Sequence, residues 1–241
     1  MGSRTYVLPG DTIPSSLLPP SSAPIRLGPG LRHIPPEHIT PTAAGELCVD
    51  VKKNAVWIDS NGGRYVPMQG DMVLAVVHHS SPDFYHCAIT PHTAFAQLPQ
   101  LAFEGATKKT RPQLVPGSLI YARISLANMH MDPELECVNP STGKADGLGE
   151  LKGGMVFHIS LSMARRLMMP EPGSMGGMVV LEDISERLPF EIAVGRNGRI
   201  WVNSESVNGT IAVGTAVVET DRDGLGVEEQ RKLVKRLMKR L

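Results

Sequence analysis

The hydrophobic pattern of this chain changes period close to Asn139, and that change limits what the chain can fold into. Up to that point the apolar residues come in short runs. "ELCVDV" and "AVWID" are followed by "GDMVLAVVHHS", "FYHCAIT", "TAFAQLPQL", "SLIYARISLA" and "PELECVN". Alternation over so few residues predicts strands buried on one face. Beyond Asn139 the spacing becomes helical. Apolar residues stand at 161, 164, 167 and 168 behind Ser160 or Ser162 as cap, and Pro170, Pro172 and Gly173 close the run. "MVVLEDISERL" is a second predicted helix, ended by Pro189. A third runs from about Ser204 or Ser206 to Glu219, and "VEEQRKLVKRLMKRL" is a fourth.

Prolines and glycines set the boundaries. The first 45 residues contain nine prolines, which excludes helix and leaves few ladder donors. Residues 1–63 therefore read as a small β-domain with an extended arm, the alternative for the first 25 residues being disorder. Residues 64–139 carry five short strands with no helix between them, the signature of a small closed OB-type barrel. Residues 140–241 follow the order strand, helix, helix, strand, strand, helix of a KH-like α+β domain. The class expected is a mixed β and α+β multidomain chain.

Within the last domain, "EIAVGRNGRIWV" places Gly195-Arg196-Asn197-Gly198 between two alternating runs. A G-x-x-G tetrapeptide is also the backbone clamp of KH domains, but that clamp lies between helices. Gly195, Asn197 and Gly198 instead suit a structural turn, with Asn197-Gly198 tolerating the positive φ of a type I′ hairpin.

Charge and cysteine content narrow the function. Lys plus Arg equals Asp plus Glu at 24 each, so solitary high-affinity nucleic-acid binding is not expected, because phosphate neutralisation supplies most of that affinity. The three cysteines, Cys48, Cys87 and Cys137, lack C-x-x-C spacing, arguing against a zinc ribbon or disulfide framework and for a reducing compartment. No apolar run approaches 18 residues, so no membrane partner is expected.

The densest cationic loop is Lys108-Lys109-Thr110-Arg111, a candidate phosphate contact. Phe84 and Tyr85 are candidate base-stacking rings on the second barrel strand, with His86 and Phe95 nearby. His78, His79, His86 and His92 with Cys87 invite a metal reading. Adjacent strand residues point to opposite faces, however, so no metal or other cofactor is expected. Asp132, Glu134 and Glu136 in "MDPELEC" follow one another along one strand edge, whereas two-metal hydrolysis needs acids converging from several elements. Arg231, Lys232, Lys235, Arg236, Lys239 and Arg240 form one side of the last helix, opposite an apolar stripe of Val234, Leu237, Met238 and Leu241.

"FEGATKKTRP", "SLIYAR", "ELEC" and "GRNGRIWV", with the early "PGD" and "LGPGL", resemble the S1/KH cap subunits of the eukaryotic RNA exosome. The resemblance covers nearly the whole chain. It implies a non-catalytic subunit that sits on a ring of RNase PH-like subunits beside other caps, binds single-stranded RNA and guides 3′ ends into the central channel. Its implied location is the nucleus, including the nucleolus, and the cytoplasm, and its G-x-N-G turn supports packing between the S1 and KH modules. Many RNA-binding S1 domains carry F-G-x-F on the second strand and a histidine after the third. Phe84-Tyr85-His86-Cys87 and Gln97-Leu98-Pro99 stand there instead, which moves the expected RNA contact toward Lys108, Lys109 and Arg111. Two rival classes are a metal-dependent ribonuclease using the "DPELE" acids and a free-standing RNA-binding regulator.

Overall fold

A computed structural model describes residues 5–20, 24–36, 38–61, 64–91, 93–169 and 177–239. The chain divides into two compact units, Met1–Gly63 and Arg64–Leu241.

In the first unit the two alternating runs form the hairpin β5 (Gly45–Asp50) and β6 (Ala55–Asp59). The proline-rich segment flanks it in short pieces. Strand β1 (Tyr6–Val7) pairs antiparallel with β5, and β2 (Arg26–Leu27) pairs parallel with β6. Strands β3 (Leu31–Ile34) and β4 (His38–Pro41) make a separate antiparallel pair. Val7, Ile13, Ile39, Leu47, Val56 and Ile58 form the core of this unit, so the described part of the first 25 residues contributes to its packing.

The second unit begins with the barrel. Its strands are β7 (Met72–Ser80), β8 (Phe84–Ala88), β9 (Ala96–Pro99), β10 (Leu119–Leu126) and β11 (Glu134–Glu136). They are ordered β11-β9-β8-β7-β10, and β11 also pairs with β10, which closes the ring at five strands. Inward-facing residues such as Val73, Ala75, Tyr85, Cys87, Leu98, Ile120, Ala122 and Ile124 alternate along the strands and fill the interior.

The stretch ahead of the first helix, where the sequence order places a single strand, divides in two. Strand β12 (Gly149–Leu151) adds to the barrel beside β10, whereas β13 (Met155–His158) joins the next sheet. Gly153 and Gly154 lie between them at φ +70° and +67°, a left-handed backbone that ends the first strand and redirects the chain. The KH module continues with α1 (Leu161–Leu167), α2 (Val180–Ser185), β14 (Phe190–Gly195), β15 (Arg199–Ser204), α3 (Val207–Asp223) and α4 (Val227–Met238). Strand β15 is central, between β13 and β14.

Of the alternative caps, Ser160 takes α1 and Ser206 takes α3. Each side chain accepts from the backbone N–H three residues on, at 3.0 Å. Ser160 also donates from its backbone N–H and its hydroxyl to Asp221, both at 2.6 Å, tying the start of α1 to the end of α3. The loop expected between α1 and α2 lies largely outside the described residues, as do Arg240 and Leu241 of the last helix.

Candidate nucleic-acid interface

The hairpin tip is a turn, though not the one expected. Gly195 pairs with Arg199, leaving three loop residues. Gly198 N–H donates to the Gly195 carbonyl at 3.1 Å, and Gly198 is the tetrapeptide's positive-φ residue, at +74°. A type I′ turn needs positive φ at both central positions; one left-handed glycine after an ordinary turn marks the three-residue, bulged class. Asn197 is therefore not there for its backbone tolerance.

Its side chain has another task. Asn197 is buried, and its amide donates to the carbonyls of Leu74 and Ile89, each at 2.8 Å, while its carbonyl oxygen accepts from Leu74 N–H at 3.3 Å. Arg196 N–H donates to the Met72 carbonyl at 2.8 Å. Alternate residues of a strand bond to opposite sides. Val77 bonds toward residues 117 and 118, on the β10 side, so Met72 and Leu74 face the other way, where β8 has already ended its pairing at Val76–Ala88. The hairpin tip fills that vacant edge, and the Asn197 amide stands in for a peptide group of the missing strand. Arg196 adds an ion pair to Asp71 at 3.4 Å, and Asp71 in turn accepts from the Tyr65 hydroxyl at 2.7 Å. Burial and the Asp71 carboxylate together push the Tyr65 phenol far above its usual range, so it stays a donor. Tyr121 closes the contact by donating to the Val194 carbonyl at 3.1 Å.

The cationic loop is ordered by threonines. The Thr107 carbonyl accepts from Thr110 and Arg111 N–H at 3.1 and 2.9 Å, and the two threonine hydroxyls meet at 2.8 Å. Gly105 precedes them at φ +62°. Lys108 and Lys109 are exposed and Arg111 half-buried; none of the three has an ion pair among the described residues. This geometry presents three uncompensated charges from a fixed turn.

Tyr85 does not serve as a stacking ring. It is 3% exposed in the barrel core, and its hydroxyl donates to the Pro112 carbonyl at 2.6 Å and accepts from Leu114 N–H at 3.4 Å. Facing inward, it pins the chain just after Arg111, so it acts on the cationic loop from behind. Phe84, one residue away, points to the outer face and is half-buried.

A cluster of rings, His78 and His79 exposed and His86 and Phe95 half-buried, gathers elsewhere on the barrel. His79 stacks on His86 with centroids 4.3 Å apart, His78 stacks on Phe95 at 4.5 Å, and the Nδ1 atoms of His78 and His79 lie 3.1 Å apart. Strict alternation forbids that proximity for neighbours on a strand. A bulge between Val77 and His79 breaks the register and turns both rings to one side. Partial desolvation, then the neighbouring His86 and His78 charges, hold the His79 imidazole below its usual range. Among the described residues no group of three His, Cys, Asp or Glu could hold a metal, and His92 lies outside them. Burial pushes the Cys87 and Cys137 thiols up to about 12, so neither presents a thiolate near neutral pH. The "DPELE" acids do not lie on a strand edge, because β11 is paired on both sides; they follow one another along β11 and the residues before it, where Asp132 accepts from Gln97 at 3.3 Å and Glu136 pairs with Arg123.

Known proteins carry the same parts in the same order. The family model described as the exosome complex component RRP40 S1 domain matches residues 65–149. The one described as the exosome complex exonuclease Rrp40 N-terminal domain matches residues 25–64, and a KH-domain model matches residues 154–208. The exosome complex component rrp40 of Schizosaccharomyces pombe is 42% identical over the whole of this chain and 97% of its own length. The chain belongs to the exosome complex component RRP40 family. RRP40 proteins of Drosophila melanogaster and Saccharomyces cerevisiae are 38% and 33% identical, over 92% and 89% of this chain and 91% and 88% of theirs. A crystal structure assigned to an exosome complex RNA-binding protein superposes with a TM-score of 0.56 at 21% identity, covering 73% of this chain and 97% of its own; it shares the fold. Within the RRP40 frame, the barrel is the S1 module and the hairpin belongs to the KH module.

Proposed function

We propose that this chain is a non-catalytic, RNA-binding cap subunit of the RNA exosome that guides RNA 3′ ends toward a separate nuclease. The observation that carries the reading is the loop Lys108-Lys109-Thr110-Arg111. It is held by Thr107, Thr110 and Tyr85 and has no acidic partner among the described residues. Phosphate oxygens satisfy such charges without sequence preference, which suits a subunit that must pass any RNA. The exposed rings of His78 and His79, stacked on the half-buried Phe95 and His86, offer a second, stacking contact on the same barrel. In this reading the partners are RNase PH-like ring subunits and other cap subunits, and the location is the nucleus, including the nucleolus, and the cytoplasm.

The test uses reconstituted complexes carrying Lys108→Ala, Lys109→Ala and Arg111→Ala together. Decay of a long-tailed RNA should slow while a short RNA that bypasses the cap decays at the normal rate. Equal slowing of both, or of neither, refutes guidance by this loop. Non-catalysis is tested by incubating the purified chain with labelled single-stranded RNA and magnesium; shortening of the RNA would establish the ribonuclease reading instead.

A further inference from the structure

We propose that the terminal helix α4 carries a second, sequence-independent contact for the RNA backbone, formed by Lys232, Lys235 and Lys239. This inference rests on the RNA-binding reading above and extends it to a surface outside the barrel.

The cations of this helix fall into two kinds. Arg231 lies 3.4 Å from Glu228 and 4.0 Å from Asp183, and Arg236 pairs with Glu219 at 2.7 Å. The three lysines are exposed and have no ion pair among the described residues. They recur at i, i+3 and i+7 and so share one face, forming a row about 10 Å long at 1.5 Å per residue. With Arg236 they line a shallow groove of about 410 Å³ with no acid among its described lining residues; Glu219, Asp223 and Glu229 lie on the far side of Lys232 and Arg236, in an adjoining groove. The partial charge at a helix C-terminus is roughly half an elementary charge, too small to balance this row.

The row is held rigidly. Gln230, 1% exposed, accepts from Val179 and Val180 N–H at 2.9 and 3.2 Å. It donates to the Gly177 and Leu225 carbonyls at 2.8 and 2.9 Å. Glu229 accepts from Gly226 N–H at 2.9 Å at the start of the helix. The apolar side chains of the helix, Leu233, Val234 and Leu237, are buried in the module core. An acidic helical peptide would need apolar pockets for its anchors, and this groove has only lysine stems and charge. A polyphosphate chain needs nothing more.

The experiment uses the full chain with Lys232→Gln, Lys235→Gln and Lys239→Gln, which leaves the paired arginines in place. Binding of a labelled single-stranded oligouridylate is measured over a salt series, beside the Lys108/Lys109/Arg111 alanine variant. Loss of three phosphate contacts should flatten the slope of log affinity against log salt by about 2 for a single strand, with an unchanged melting temperature. Bound RNA should also protect these three lysines of the unmodified chain from acetylation, read by mass spectrometry. An unchanged slope and unprotected lysines, while the barrel-loop variant weakens binding, overturn the second contact and leave the first intact. Polyglutamate that binds through these lysines when RNA does not would overturn it in favour of an acidic protein partner. If the unmodified chain bound no RNA at any salt, the RNA reading itself would fall, and this inference with it.

Discussion

Replacing Asn197 by alanine tests the central structural claim, that one side-chain amide completes the barrel edge. The substitution removes two donated bonds at 2.8 Å and one accepted bond at 3.3 Å. It leaves the Leu74 N–H and the Leu74 and Ile89 carbonyls without partners, beside a Leu74 side chain that is fully buried. Each buried orphan costs about 1–3 kcal/mol. Partial rehydration keeps the three from adding in full, so the expected loss is about 3–5 kcal/mol. For a unit of this size that corresponds to a fall in melting temperature of about 6–20 °C. Differential scanning calorimetry of the full chain reads the shift, and hydrogen exchange at the Leu74 amide reads the site. Exchange at Leu74 should accelerate out of proportion to the global change, because its acceptor is gone. A variant that melts within 2 °C or so of the parent, below the lower bound set by the orphan cost, with Leu74 still protected, would refute the reasoning.

Gly198→Ala places Cβ at φ +74° and 2.8 Å from the Ile159 carbonyl oxygen. Stability should fall by about 1 kcal/mol or more, with RNA affinity per folded molecule unchanged in a filter-binding assay. Tyr85→Phe removes the hydroxyl that holds Pro112 and Leu114; it should cost about 1–2 kcal/mol, and amide exchange around residues 107–114 should quicken. Gln230→Leu strips three bonds from the joint between α2 and α4 and a fourth to the Leu225 carbonyl just ahead of α4. Urea unfolding should show a loss of about 2–4 kcal/mol. The folded-state depression of the His79 pKa means that the unfolded chain binds this proton more readily. Its contribution to stability is present above the ordinary imidazole value of about 6.5 and is lost as pH falls below it toward the folded value. In a proton NMR titration the His79 midpoint should lie below that value and move up on His86→Ala.

The sequence by itself determined most of the elements and their order, though not the division of β12 from β13. The 2-residue period showed that barrel side chains alternate between two faces, and the switch to helical spacing after Asn139 announced the helices of the KH module, although β12 still adds to the barrel sheet. Both are consequences of backbone geometry within a few residues. Serine caps and the glycine of the hairpin were legible for the same local reason. The lysine row of α4 was visible as a cationic face, but not which of its charges are already paired. Other assignments needed the tertiary structure. Tyr85 reads as a surface ring until the barrel closes and buries it against Pro112, 27 residues away. His78 and His79 share a side only because β7 bulges where it pairs with β8. Asn197 reads as a turn residue, yet its partners are Leu74 and Ile89, 123 and 108 positions distant. An amide can satisfy its own turn or a remote strand edge equally well. Only the tertiary structure, in which β8 stops short of Leu74 and the hairpin tip packs into the gap, decides between them.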